Sequence, residues 1–181
     1  RGNLPLLRRV ISEYDDQRTE TLEAARRILE LLTRSAGTVE DQRRELNLLI
    51  ADPSTPPLLA ALAQNRIGDF DAAADRLADA LRCYQRTIAE YPEQTEAVAA
   101  AHFAQSRVLF EQGRFEDSVR VYERIEQRLR PRDDLFYIRA RRGFIRQTLL
   151  KAEAEYRSND PALARATFVS LLDYDPSIVE A

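Results

Sequence analysis

The sequence predicts an all-α protein assembled from antiparallel helix pairs. Apolar residues recur every three or four positions along most of the chain, no alternating strand pattern appears, and short breaks centred on glycine or proline punctuate the helical stretches. The bulk numbers agree. A chain of 181 residues that is 44% hydrophobic and 31% charged, with 5 Gly and no Trp, suits one folded domain or one array of repeats. A net charge of −3 argues against a general nucleic-acid binder, which needs a basic balance to neutralise phosphates. One cysteine excludes an internal disulfide, and no stretch approaches the ~20 apolar residues of a membrane span.

Asn3 fits an N-cap, with Pro5 in the first turn of the helix it opens. Leu4, Leu7, Ile11, Tyr14, Ala25, Ile28 and Leu32 then recur at heptad spacing to about Thr33, interrupted by Arg18 and Thr21. A helix of ~30 residues would be ~45 Å long. Its apolar seam must therefore lie on the next helix or on another chain. Ser35-Ala36-Gly37 ends it, and Thr38 with Asp41 forms a capping box for a second helix over 39–51 that presents Val39, Leu46, Leu49 and Ile50. Pro53, Pro56 and Pro57 cannot continue that helix. They separate an N-terminal helical hairpin, 1–52, from the remainder, 57–181.

Beyond Pro57 a helix–turn–helix unit recurs. Leu58 to Ile67 leads through Gly68-Asp69-Phe70 to a helix ending at Glu90 before Tyr91-Pro92. Gln94 to Gln112 leads through Gly113-Arg114-Phe115 to a helix ending near Arg130-Pro131. Asp134 to Arg157 meets Ser158-Asn159-Asp160-Pro161, followed by a helix through Leu172 to Asp175-Pro176.

Gly113, Phe115, Ser118, Tyr122 and Ile125, with Ser106 before them and Pro131 after, resemble the tetratricopeptide repeat, a unit of ~34 residues in two antiparallel helices. The resemblance implies that Ser106 and Ser118 are small residues where the helices cross. It makes Phe115 and Tyr122 aromatic wedges, and Gly113 the residue that leaves the first helix in left-handed geometry. Ala152, Ala164, Phe168 and Leu171 repeat the pattern, with Asn159 in place of glycine and Pro161 in place of the aromatic. Gly68, Phe70, Ala73 and Leu77 repeat it with Pro92 about two turns late, so the second helix there looks extended. The helix from Asp134 looks about three turns too long. The implied architecture is a right-handed α-solenoid of TPR-like repeats at about 57–92, 99–132 and 145–178, continuing beyond Ala181. Elongated helices with Tyr-Pro endings are similar to those of bacterial envelope lipoproteins involved in outer-membrane assembly and Tol-dependent division. That narrower resemblance favours the periplasm or cell envelope over the cytoplasm.

The search for chemistry points away from an enzyme. His102 is the only histidine and has no second ligand nearby, so no metal set forms, and it is expected to be a structural or surface residue. Cys83, between Leu81 and Tyr84 on a helix, reads as a small packed hydrophobe. Asp69 and Asp71 are expected to cap a helix N-terminus, and Asp75 and Asp79 to form a solvated face. No phosphate loop, serine elbow or CxxC is present, and no cofactor is expected.

The basic cluster Arg128, Arg130, Arg132, Arg139, Arg141, Arg142 and Arg146 is the most informative feature. Arg139, Arg142 and Arg146 share a helix face. They form either a solvated face paired with Glu153 or Glu155 and neighbouring helices, or a dock for an acidic or C-terminal carboxylate peptide. The resemblance implies that first helices line a concave groove. That would place Phe103, Arg107 and Phe110 of one repeat, and Arg146, Leu149, Glu153 and Tyr156 of another, towards the partner. The carboxylate clamp of chaperone-binding repeats is lacking. The expected function is a non-enzymatic protein-interaction scaffold that holds a protein or peptide segment. The alternatives are self-assembly into homo-oligomers through the N-terminal helices, or an accessory domain of a larger protein.

Overall fold

A computed structural model of the chain describes residues 18–35, 37–129 and 134–174, and no strand occurs among them. Eight helices follow one another: α1 (Arg18–Ser35), α2 (Val39–Ala51), α3 (Pro57–Ala73), α4 (Leu77–Glu90), α5 (Thr95–Glu111), α6 (Phe115–Leu129), α7 (Asp134–Arg157) and α8 (Pro161–Tyr174). Asn3, Pro5, the heptad positions 4–14, Pro131 and Asp175-Pro176 lie outside the described residues.

The chain divides into two compact units, Arg1–Ala104 and Gln105–Ala181, with the division inside α5. In the first unit, local chemistry sets the helix ends. Thr38 is extended, its Oγ1 accepts the Asp41 N–H at 3.1 Å, and its hydroxyl donates to the Asp41 carboxylate at 2.7 Å. After α2, the Asp52 carboxylate accepts from the Ser54 N–H at 2.9 Å and from its hydroxyl at 2.6 Å, which turns the chain towards the prolines. Pro57 then opens α3, where a missing N–H costs nothing.

The core runs across this proline segment rather than stopping at it. Ala25 and Ile28 of α1, Leu46 and Leu49 of α2, Leu59, Ala63 and Ile67 of α3, and Ala97 of α5 form one buried cluster. Thr21, expected to interrupt the α1 seam, is buried and continues it, whereas Val39 stands exposed. The Asn65 side-chain amide donates to the Ala97 carbonyl at 2.8 Å, tying α3 to α5.

Three helix pairs, α3–α4, α5–α6 and α7–α8, share one turn geometry. Asp75, Gly113 and Asn159 each adopt a left-handed backbone, with φ of 58°, 73° and 65°. Their N–H groups reach the carbonyls of Ala72, Phe110 and Tyr156 at 3.0, 2.9 and 3.2 Å. The following N–H groups, of Arg76, Arg114 and Asp160, reach Asp71, Leu109 and Glu155 at 2.8, 2.9 and 3.1 Å. This is the Schellman arrangement, which satisfies the last carbonyls of the first helix.

From each left-handed residue the same register runs outward. Seven positions before it stand Gly68, Ser106 and Ala152, and five after it Ala80, Ser118 and Ala164, all buried. Ser106 and Ser118 meet hydroxyl to hydroxyl at 2.7 Å, and the Ser118 and Ser106 carbonyls, at 3.2 and 2.9 Å, are alternative acceptors for their two protons. Nine positions after it stand Tyr84, Tyr122 and Phe168.

The first pair corrects the sequence reading. Gly68 lies inside α3, and the turn comes about two helical turns later, at Ala74-Asp75-Arg76. A Cβ on Gly68 would sit 2.7 Å from the Tyr84 ring and 3.1 Å from the Cys83 Cβ, so the glycine serves close helix approach rather than chain reversal. With the turn at Asp75, α4 is not extended: it has 14 residues, against 15 in α6 and 14 in α8. Among the first helices of the three pairs, α7 is the long one, at 24 residues against 17 in α3 and α5. Its Gly143 meets the Tyr122 ring so closely that a Cβ there would lie 2.3 Å away.

Asp71 is likewise no N-cap. It lies near the end of α3, 1% exposed, and accepts from Arg43 Nη1 of α2 at 2.7 Å and from Arg76 Nε at 2.9 Å, with Arg76 Nη2 2.8 Å away in the same ion pair. Two charge-assisted bonds from two arginines hold a buried carboxylate that would otherwise be costly to desolvate. Asp69 accepts from the Tyr84 hydroxyl at 2.9 Å, Asp75 forms the turn, and Asp79 pairs with Arg82.

Candidate partner-binding surface

Helix α7 presents two chemically different faces. Phe144, Thr148, Ala152 and Glu155 recur at helical spacing and are buried. Thr148 satisfies its hydroxyl on the Phe144 carbonyl at 2.9 Å. Glu155 accepts the Thr167 hydroxyl of α8 at 2.7 Å and lies 3.4 Å from Lys151, which in turn lies 3.3 Å from Glu116 of α6. These contacts fix the rotation of α7 about its axis. A hydrogen bond from its own backbone N–H at the start of α6 holds the Glu116 carboxyl below the usual range, and Lys151 adds to it.

That rotation turns Arg142, Arg146, Glu153 and Tyr156 to solvent, with Leu149 half-buried beside them. Tyr156 is 68% exposed, which is high for a large amphipathic ring. Glu153 pairs with Arg157 at 3.4 Å, and Glu155 is occupied as described, so neither neutralises the arginines as the solvated-face reading expected. No hydrogen bond or ion pair joins Arg142 or Arg146 to another described residue. The Arg139 backbone is helical within α7, but its side chain lies outside the described residues, as do the side chains of Arg128, Arg130, Arg132 and Arg141.

The expected α5 set is less open. Phe103 is half-buried, and Arg107 is exposed with Nε 3.9 Å from Glu111. Phe110 packs its ring against Phe115 with centroids 4.8 Å apart at 59°, so it belongs to the turn beside Gly113.

Sequence reasoning missed the Asp71 hub and the Glu155–Thr167 contact. Both acids stand four positions before the left-handed residue of their pair, a register that becomes visible only once the first turn is placed at Asp75. Cys83 is half-buried; burial raises its thiol pKa and the Asp71 carboxylate 3.8 Å away adds to the shift, which leaves it poorly nucleophilic at neutral pH. His102 is buried on α5. Among the described residues no group of three His, Cys, Asp or Glu could hold a metal ion, and no helix is long and apolar enough to cross a membrane.

Comparison of the chain with protein-family models, curated proteins and solved structures gave no match. The functional reading therefore rests on the helix pairs and the surfaces they present.

Proposed function

We propose that the protein is a non-enzymatic interaction scaffold of the tetratricopeptide type, and that the outer face of α7 receives an acidic or carboxylate-terminated peptide segment of a partner protein. The observation that carries this reading is the pair of exposed arginines, Arg142 and Arg146, which pair with no other described residue and stand one turn apart beside Tyr156 on a helix whose rotation is fixed by its buried side. Guanidinium groups bind carboxylates bidentately, and a tyrosine ring supplies contact area at low entropic cost.

Fluorescence anisotropy with a panel of labelled acidic peptides, each with a free or an amidated C-terminus, tests the reading. The free-carboxylate forms bind, and the double substitution Arg142→Glu with Arg146→Glu weakens them at least about a hundredfold, since each charge-assisted bond is worth ~1.5–3 kcal/mol. Rising salt weakens them as well. Affinity unchanged by the reversal would make this face an ordinary solvated surface.

A further inference from the structure

We infer that α8 is a self-pairing surface, and that it packs antiparallel against α8 of a second copy of this chain, centred on Val169. This inference is independent of the α7 reading. Ala164, Thr167 and Leu171 bury one side of α8 within its own unit. Facing away from that side, Val169 is 47% exposed and Leu172 38%, while Leu163 at 47% and Phe168 at 38% stand open on its two flanks.

The other second helices do not look like this. At the register positions of Leu163 and Val169, α4 carries Asp79 and Gln85, and α6 carries Asp117 and Glu123. At the position of Phe168 they carry Tyr84 and Tyr122, both buried. Helix α8 therefore substitutes apolar residues where its counterparts meet water, and leaves open an aromatic that they cover.

The charges on the same face select the occupant. Arg165 lies near the start of α8 and Asp173 in its last turn, and both are exposed. Each is placed against its own helix dipole, which favours acids at the start and bases at the end. Neither makes an ion pair with another described residue. In an antiparallel pair centred on residue 169, position 165 of one copy stands level with position 173 of the other, and 166 level with 172. Arg165 then faces Asp173 of the second copy twice over, and small Ala166 faces large Leu172. Each charge also meets the favourable end of the neighbouring helix. A two-fold contact of this kind is self-complementary by symmetry.

Sedimentation equilibrium on the 181-residue chain tests this, with circular dichroism confirming that each variant stays helical. The chain is expected to show a concentration-dependent dimer. Arg165→Asp alone and Asp173→Arg alone each weaken it at least about tenfold, because two like-charge pairs replace two ion pairs. An equimolar mixture of the two single variants is expected to recover the dimer, since each copy then meets opposite charge at both positions. A wild-type chain that stays monomeric throughout the micromolar range would overturn the inference. So would a dimer indifferent to both substitutions, or a mixture that fails to recover.

Discussion

Gly68→Ala is the substitution whose sign separates local propensity from packing. Inside a helix, glycine is less favourable than alanine by about 1 kcal/mol, so propensity alone makes Gly68→Ala stabilising by that amount. The structure predicts the reverse. The new methyl would lie 2.7 Å from Tyr84 Cε1 and 3.1 Å from the Cys83 Cβ, on a ring that is fully buried and held at its hydroxyl by Asp69. A ring fixed at both ends cannot swing aside, so the crossing of α3 and α4 must open. Overpacking of this kind costs ~1–3 kcal/mol, which offsets or exceeds the propensity gain and leaves a net loss of up to about 2 kcal/mol. Thermal unfolding followed by circular dichroism would register a drop in Tm of up to ~8 °C in a chain of this length. In a Tyr84→Leu background the obstruction is gone, and the same Gly68→Ala change should become neutral or stabilising, a coupling that a double-mutant cycle isolates. A rise in Tm for Gly68→Ala in the wild-type background would refute the placement of Gly68 at the helix crossing.

Other perturbations follow from the same geometry. Asp71→Ala strands Arg43, whose side chain is 22% exposed, while Arg76 at 44% regains water; a loss of ~2–3 kcal/mol in urea unfolding is expected, and a loss under ~0.5 kcal/mol would deny the hub its structural role. Asp75→Gly should stabilise by ~0.5–1 kcal/mol by relieving left-handed strain, whereas Gly113→Ala, with nothing within 4 Å of its added methyl, should destabilise by ~1–2 kcal/mol through the backbone alone. Identical signs for the two changes would contradict the shared turn. Cys83 should alkylate with iodoacetamide at pH 8 at least about tenfold more slowly than in the urea-unfolded chain. Its folded pKa is raised, so its contribution to stability is present below the unfolded thiol pKa and is lost as pH rises through the folded value. A reaction rate equal to that of the unfolded chain would show an open thiol.

Much of the fold was legible because its determinants are local. Thr38 with Asp41, the three prolines after Asp52, and Gly113 act within a few residues of themselves, and they placed α2, the turn into α3 and the α5–α6 turn. The small pair Ser106 and Ser118 was legible through the repeat resemblance, and its hydroxyls do meet at the crossing. Gly68 was misplaced because glycine has two distinct uses, a left-handed φ and a missing Cβ, and the sequence does not say which one operates. Phe70, two positions after Gly68, imitated Phe115 after Gly113. The true turn residue, Asp75, carries a charge and drew a surface reading.

The remaining misses are tertiary. Asp71 becomes buried only when Arg43 arrives from another helix and Arg76 from beyond the turn. Thr21 looked like a break in the α1 seam, but it is buried there with Ala24, Ala25 and Ile28. On the candidate surface, the spacing of Arg142, Arg146 and Tyr156 was readable as one helix face. That no described acid pairs with the arginines was not, because it depends on Glu155 being claimed by Lys151 and Thr167.

Titration of the ¹⁵N-labelled chain with a short acidic peptide ending in a free carboxylate, followed residue by residue by NMR, bears most directly on the scaffold claim. Chemical-shift changes concentrated on α7 between Arg142 and Tyr156, and lost with Arg142→Glu and Arg146→Glu, are the predicted result. No shifts at saturating peptide, or shifts confined to other helices and unmoved by the reversal, would contradict it.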